Sequence, residues 1–257
     1  MNVVLIGSGN VATVLGKLIK KSGHTIIEIV SRNEARAKNL AATVNANYHT
    51  DLKQINTTAG IYIIAVADDA INDIAADLNL ADKIVVHTAG SVLKDVLKDS
   101  SKNYGIFYPL QSLRKENEEI PVIPFLVDAS NEETLHSLQQ FAQSLSDKVA
   151  VADDAQRSKL HVAAVIASNF SNYIFTLTND YCKKENIFFN ILLPLIQETV
   201  SRLNDFAPAD VQTGPAIRGD KNTMQKHLAL LQEHPELKKL YEIMSEGIIT
   251  YHEGDKK

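Results

Sequence analysis

Short apolar runs alternate with amphipathic stretches over roughly the first 150 residues of the chain. This alternation is typical of βα units, which build a parallel sheet with helices on both faces. The apolar runs predict strands over 2–7, 24–31, 60–66, 83–87, 103–107, 122–128 and 148–151. The amphipathic stretches predict helices over 10–22, 33–44, 68–78 and 132–145. The first part of the chain is therefore predicted to be an α/β domain with a doubly wound, mostly parallel sheet.

The pattern changes after residue 152, where the strand-like runs end and long helical stretches begin. The first predicted helix covers 153–184 and would be about 45 Å long at 1.5 Å per residue. Further helices are predicted over 188–203, 221–233 and 236–251. We therefore expect a nucleotide-binding domain over 1–152 and an all-helical domain over 153–257.

Composition narrows the function classes. Of the 257 residues, 45% are apolar and 22% are charged, which is an ordinary globular composition. The formal net charge of −5 provides no basic field for nucleic acid or an anionic membrane. A single cysteine, Cys182, excludes an intramolecular disulfide, and the eight histidines show no spacing that predicts a metal site. The first residues lack the pattern of a signal peptide, so we expect a cytoplasmic protein.

The segment 160–179 contains no Asp, Glu, Lys or Arg. It carries too many hydrogen-bonding side chains for a membrane span, so a buried helix is the better interpretation. At 100° per residue, His161, Ser168 and Asn172 fall on one line, with Asn169 about 80° to the side. This polar stripe indicates contact with a cofactor, a substrate or a second subunit. The alternative is an interface stripe whose hydrogen bonds are already satisfied.

The segment G-S-G-N-V-A directly joins the first predicted strand to the first predicted helix. Gly7 permits a tight turn, Gly9 lets the backbone approach a pyrophosphate, and Ala12 lets the helix pack closely on the sheet. Asn10 and Val11 open the helix, whose free N–H groups attract an anion. This context predicts a dinucleotide site, and a simple tight turn is the alternative.

The end of the second predicted strand indicates which dinucleotide binds. An NAD site usually has an acidic residue there, but this chain has Ser31 and Arg32, and Glu28 falls within the strand. A hydroxyl and a guanidinium suit a 2′-phosphate, and Arg36 is one helical turn further on. The sequence therefore favours NADP over NAD. The alternative for Arg32 is a solvated side chain at a helix start.

Two further strand ends carry candidate site residues. Ala65, Val66 and Ala67 follow the strand over 60–66 and would let a cofactor pass over the backbone. His87 ends the next strand and Ser91 follows it. Both side chains could donate a proton or orient a substrate. The alternative is that His87 fills the end of the sheet and Ser91 caps the next helix.

Two later segments give weaker or more local signals. Tyr108 and Gln111 follow the predicted strand over 103–107 and are weak candidates for the cleft. The compact loop over 213–220 presents Arg218, which could bind a carboxylate substrate. Asp220, at the end of this loop, could simply cap the following helix.

Taken together, several motifs resemble those of a family of bacterial NADP oxidoreductases: G-S-G-N-V-A, S-R-N, H-T-A-G-S, Y-P-L-Q, K-L-H-V-A-A-V-I-A-S-N-F and T-G-P-A-I-R-G-D. The resemblance implies a Rossmann-type domain followed by a helical, dimer-forming domain of the 6-phosphogluconate dehydrogenase C-terminal type. Pyrroline-5-carboxylate reductase and the deazaflavin-dependent NADP reductases are similar. Tyr108 departs from the family pattern, which usually has His before Pro-Leu-Gln. The resemblance also implies cleft positions for His87, Ser91, His161, Asn169, Arg218 and Asp220.

We therefore expect an NADP-dependent oxidoreductase that transfers a hydride between the nicotinamide and a small carbonyl or imine. His161 is the first candidate proton donor and His87 the second, with Ser91 and Asn169 orienting the substrate and Arg218 binding a carboxylate. The alternatives are a non-catalytic NADP(H) sensor and a deazaflavin:NADP reductase. A second copy of the chain is the expected partner.

Overall fold

The computed structural model describes residues 1–254 and divides them into two compact units, with the division between Ser168 and Asn169. The first unit contains the whole sheet and the helices around it. The domain boundary proposed from sequence, after residue 152, lies one residue beyond the last strand, which ends at Val151, and 16 residues before this division. The helix that follows this strand still belongs to the first unit, because its inner face packs on the sheet domain.

The first unit is built on one eight-stranded sheet of order β3-β2-β1-β4-β5-β6-β7-β8. All neighbouring strands are parallel except β6 and β7, which are antiparallel. The first six strands therefore have the Rossmann order, which confirms the predicted fold class. The strands are β1 Asn2–Ile6, β2 Thr25–Val30, β3 Asn47–His49, β4 Ile61–Ile64, β5 Ile84–His87, β6 Asn103–Pro109, β7 Phe125–Ala129 and β8 Val149–Val151.

The seven predicted strands are present, and β3 is the strand that the pattern missed. β3 has three residues, lies at the edge of the sheet and is only partly buried, so no apolar run marks it. By contrast, β1 is buried on both faces. Leu5 packs into the core on one side of the sheet, and Val4 packs into the core on the other. This double burial explains why β1 appears as a continuous apolar run.

Three helices of the first unit begin at a residue whose side chain accepts from a free N–H group of the first turn. Asn33 caps one helix by accepting from Arg36 N, and Asp153 forms a capping box with Gln156 on another. A 3₁₀ turn, Asp68–Ala70, precedes the third helix. The helices are α1 Asn10–Lys21, α2 Glu34–Val44, α3 Ile71–Asp77, α4 Glu132–Leu145 and α5 Asp154–Ala164.

The second unit is helical, as predicted. A π-helical segment, Val165–Phe170, spans the division between the units. The predicted helix over 188–203 is broken into a 3₁₀ turn and a shorter α-helix with Pro194 in its first turn, where its missing N–H costs nothing. The α-helices here are α6 Ser171–Lys184, α7 Leu193–Ser201, α8 Lys221–Leu230 and α9 Pro235–Gly254.

Residues 154–184 are helical throughout, but two expectations for this segment were wrong. The π turn departs from 100° per residue, so the predicted alignment of His161 with Ser168 and Asn172 does not hold. The segment is also not buried within the chain, since Ile166 and Phe170 are 55% and 57% exposed. By length and composition alone, this 31-residue stretch is long and apolar enough to cross a membrane.

Candidate active site

A cleft of about 670 Å³ opens beyond the carboxyl ends of β1, β2 and β4. Ligands of doubly wound folds bind at this edge of the sheet. Nine of the ten predicted cofactor residues line the cleft: Gly7, Gly9, Asn10, Val11, Ser31, Arg32, Ala65, Val66 and Ala67. The tenth, Ala12, is fully buried and belongs to the core between α1 and the sheet, which is the packing role expected for it.

The backbone of the first loop leaves no room for a side chain at Gly7. Gly7 has φ +125°, and a Cβ at this position would lie 2.1 Å from the carbonyl oxygen of Ala65. Gly9 is the N-cap residue of α1 and supplies no side chain to the first turn of the helix. The N–H groups of that turn therefore have no side-chain cap, and its first residues, Asn10 and Val11, line the cleft. Uncapped N–H groups at a helix start are what an anion site requires.

Three cationic side chains line the same cleft: Arg32, Arg36 and Lys53. Lys53 was not among the predicted residues because it follows β3, the strand that the sequence pattern missed. Ser31 is held by a hydrogen bond of 2.7 Å between its Oγ and Ser8 Oγ. These positive charges favour a ribose that carries a phosphate group over a ribose with two free hydroxyls.

Glu28, the acidic residue of β2, is not placed to bind the ribose hydroxyls of a nucleotide in the cleft. Its side chain is buried, accepts from Asn56 N at 2.8 Å and lies 3.2 Å from His49 Nε2. Glu28 does not line the cleft. The sequence-based reading that Glu28 lies within the strand is confirmed.

A second polar cluster lies at the ends of β4, β5 and β6. Ser91 Oγ donates to Asp68 Oδ2 at 2.7 Å, so Ser91 does not cap the next helical turn. Tyr108 Oη and His161 Nδ1 are 2.9 Å apart. Both rings press on Gly90, where a Cβ would lie 2.5 Å from His161 Nδ1 and 3.0 Å from Tyr108 Cζ. Three distant parts of the sequence therefore meet at one point.

His87 lies at the end of β5 but is enclosed by the protein. Its Nδ1 accepts from Ala89 N at 3.2 Å, and its Nε2 lies 3.3 Å from the carbonyl oxygen of Leu93. The ring is fully buried, and this burial lowers its pKa to about 4. Both nitrogens are engaged by the backbone, so the geometry corresponds to the alternative interpretation in which His87 fills the sheet end. This correction removes His87 from the candidate proton donors.

Arg157 binds the segment that contacts His161, and the sequence analysis did not identify this residue. Its guanidinium is fully buried, lies 2.7 Å from Asp154 Oδ1 and donates to the carbonyl oxygens of Gly90 and Val92. Asp154 also accepts from Lys94 N at 3.2 Å. An arginine in an amphipathic helix usually lies at the surface, and only the nearby Asp154 signalled otherwise.

The remaining predicted residues, Asn169 and Arg218, belong to the second unit and are both exposed. Arg218 lines a cavity of about 400 Å³ within that unit, together with Ile217 and His252. Asp220 caps α8 by accepting from Thr223 N and Oγ1, which lowers the pKa of its carboxyl, and Arg218 adds to this effect. The capping alternative for Asp220 is therefore confirmed.

The part of the chain from residue 1 to residue 254 contains no group of three His, Cys, Asp or Glu side chains that could hold a metal ion. The polar groups at the strand ends are instead paired with one another, as Ser91 is with Asp68.

Comparisons with known proteins agree with this architecture. Residues 2–90 match a family model described as NADP oxidoreductase, coenzyme F420-dependent, and residues 123–248 match a domain of unknown function (DUF2520). A search of curated proteins found no match.

Among solved structures, a "putative NADP oxidoreductase" from Bacteroides fragilis is 39% identical, with a TM-score of 0.89, over 97% of this chain and 98% of that one. A reductive aminase from Aspergillus terreus, in complex with NADPH and ethyl-5-oxohexanoate, is 17% identical with a TM-score of 0.70, over 94% of this chain and 92% of that one. A 1-pyrroline-5-carboxylate reductase from Streptococcus pyogenes is 14% identical with a TM-score of 0.67, over 97% and 98%.

The fold and the cleft thus define an oxidoreductase with a Rossmann-type nucleotide-binding unit. The chain belongs to the NADP oxidoreductase family that includes the Bacteroides fragilis protein.

Replacing His87 tests its structural role. The pKa of folded His87, about 4, is below the ordinary value of 6.5, so the unfolded chain takes up the proton first as pH falls. The contribution of neutral His87 to the free energy of unfolding is fully present above pH 6.5. This contribution is lost as pH falls towards 4, by up to about 3 kcal/mol. Urea unfolding at about pH 7 and about pH 4.5 measures this loss. Between these two pH values, the free energy of unfolding is expected to fall less in His87→Gln than in the wild type.

His136→Gln is the matched control, because His136 lies on the exposed face of α4. This variant should keep the wild-type pH dependence. An equal loss in His87→Gln and the wild type would contradict the role assigned to the buried ring.

Proposed function

We propose that the protein uses NADPH to reduce a small carbonyl or imine compound. The observation that carries the proposal is the first cleft, which combines an uncapped helix N-terminus with three cations. A pyrophosphate fits the first feature and a 2′-phosphate fits the second. Family membership supports the same cofactor.

The residues present fit this cofactor position by position. The loop from Gly7 to Val11 would hold the pyrophosphate with backbone N–H groups, since a Cβ at Gly7 has no room. Ser31 and Arg32 would hold the 2′-phosphate, with Arg36 and Lys53 adding positive charge. The segment from Ala65 to Ala67 would lie under the rest of the cofactor.

The proton in the proposed reaction comes from His161. When bound, the reduced nicotinamide supplies the hydride that adds to the carbonyl or imine carbon. The His161 ring, carrying protons on both nitrogens, gives its Nε2 proton to the substrate oxygen or nitrogen. It retains the Nδ1 proton, and this N–H group donates a hydrogen bond to Tyr108 Oη at 2.9 Å. The substrate thus gains a hydride and a proton, and a proton taken up from the bulk solution restores Nε2–H, so that each turnover consumes one proton.

The substrate class rests on this chemistry and on the relatives. The Aspergillus terreus enzyme is described as a reductive aminase, and it shares the fold with this chain. Ser91, fixed by Asp68, is proposed to orient the substrate. The roles of Asn169 in orienting a substrate and of Arg218 in binding a carboxylate stay predictions from the sequence, and both side chains are exposed.

A second candidate function is a deazaflavin:NADP reductase. The family description that names coenzyme F420 favours it, but that match covers only residues 2–90. The match therefore concerns the nucleotide-binding part of the chain and not the second substrate. A change in deazaflavin absorbance on addition of NADPH would support this second candidate.

We also propose a cytoplasmic homodimer formed through the helical region. Apolar side chains there are exposed in the single chain, among them Phe170, Tyr173 and Phe188. A second copy accounts for this surface better than lipid does, because the same helical stretch begins with α5, which carries the ion pair between buried Arg157 and partly exposed Asp154. Sedimentation equilibrium should give twice the mass of one chain, and a monomer mass would contradict the dimer.

The cofactor assignment predicts the effect of Arg32→Ala. Losing one charge-assisted phosphate contact is expected to weaken NADPH binding about 10- to 100-fold, because such contacts contribute about 1.5–3 kcal/mol. NADH binding should change little. Calorimetric titration of both nucleotides measures the difference.

Arg114→Ala is the control, since Arg114 is an exposed arginine of the same unit that does not line the cleft. It should bind NADPH as the wild type does. Equal loss of NADPH and NADH affinity in Arg32→Ala would argue against a 2′-phosphate site.

The proton-donor assignment predicts the effect of His161→Gln. Removing a general acid is expected to lower kcat about 10²- to 10⁴-fold while NADPH affinity stays unchanged. NADPH oxidation with a panel of small carbonyl and cyclic imine compounds measures turnover, and fluorescence titration measures binding. His136→Gln is again the control. Full turnover of His161→Gln on a substrate that the wild type reduces would show that another group donates the proton.

A further inference from the structure

Tyr108 was only a weak candidate from its sequence, yet its hydroxyl makes the one hydrogen bond found for the His161 ring within residues 1–254. The two rings meet edge to face with centroids 5.9 Å apart. Gly90 closes the third side, because a Cβ there would collide with His161 and touch Tyr108. The rings are therefore fixed by contact as well as by the hydrogen bond.

The polar groups of the two rings are not equivalent. His161 Nδ1 is engaged by Tyr108, whereas His161 Nε2 has no hydrogen-bond partner among the described residues and is not a buried orphan. Nε2 is therefore the nitrogen left for a ligand. Tyr108 is half-buried, and no residue besides His161 accepts or donates at its hydroxyl in the described part of the chain.

We propose that Tyr108 is a positioning residue that holds His161 by Nδ1 and thereby directs Nε2 to the substrate. The inference rests on the proposed function of His161 as proton donor. The phenol oxygen accepts from the Nδ1–H group both while the ring carries two protons and after the Nε2 proton has left, because Nδ1 keeps its proton. The hydrogen bond therefore persists before and after the Nε2 proton leaves.

The surroundings keep the phenol in its neutral form. Burial raises the pKa of Tyr108, and the nearby Asp68 carboxylate raises it further, while Arg157 opposes them. The charged or titratable groups around Tyr108 are thus Asp68, Arg157 and His161 itself. A neutral hydroxyl is the state that both donates and accepts a hydrogen bond.

The first test is spectroscopic and needs neither substrate nor cofactor. Long-range ¹H–¹⁵N spectra of the full chain report each histidine ring nitrogen, and His161→Gln identifies the His161 signals. Tyr108→Phe is expected to shift the Nδ1 resonance of His161. Tyr104→Phe is the matched control, since Tyr104 lies on the same strand and its hydroxyl binds Asp95 at 3.1 Å. An Nδ1 resonance that is the same in Tyr108→Phe and the wild type would overturn the proposal.

The second test is kinetic. Tyr108→Phe is expected to lower kcat about tenfold, the value of one hydrogen bond, with KM for NADPH unchanged. In the double variant with His161→Gln, the Tyr108→Phe change should have no further effect, because Tyr108 acts through His161. Additive losses would overturn the proposal in favour of a packing role.

The two tests separate this inference from the proposed function. If His161→Gln keeps full turnover while the Nδ1 resonance responds to Tyr108→Phe, the hydrogen bond stands and the proton-donor function fails. Failure of NADPH to bind the wild type would remove the enzyme function without changing the spectroscopic result.

Discussion

A buried guanidinium determines where His161, the proposed proton donor, can lie. Arg157 is inaccessible to solvent and is neutralised by Asp154, while two carbonyl oxygens of the segment after β5 accept its N–H groups. A buried charge without these partners would be strongly destabilising, so α5 is fixed against that segment. His161 lies four residues later on the same face of α5 and therefore meets Gly90 and Tyr108.

The two parts of the site have different origins. The nucleotide cleft depends mainly on local sequence, because Gly7, the start of α1 and the end of β2 are neighbours in one βαβ unit. The polar cluster depends on topology. Strand order places the ends of β4, β5 and β6 side by side, and α5 returns to them from beyond β8. The cluster therefore lacks the local sequence signals that mark the cleft.

This difference explains how much could be predicted from sequence. The doubly wound sheet and the glycine loop follow from periodicity and spacing, and the structure has both. Lys53 was missed because its strand, β3, is a short edge strand with no apolar run. Arg157 and the pairing of Tyr108 with His161 were missed because burial and long-range contacts leave no periodic signal. The π turn likewise has no sequence marker that the helical pattern reveals.

The most direct test of this account is hydrogen exchange of the α5 amides in Asp154→Ala. Removing the partner of buried Arg157 is expected to lower α5 protection by about 3–5 kcal/mol. Asp147→Ala, which breaks an exposed pair with Lys148 at 4.0 Å, should cost less than about 1 kcal/mol. Wild-type α5 protection in Asp154→Ala would contradict the claim that the guanidinium holds this helix in place.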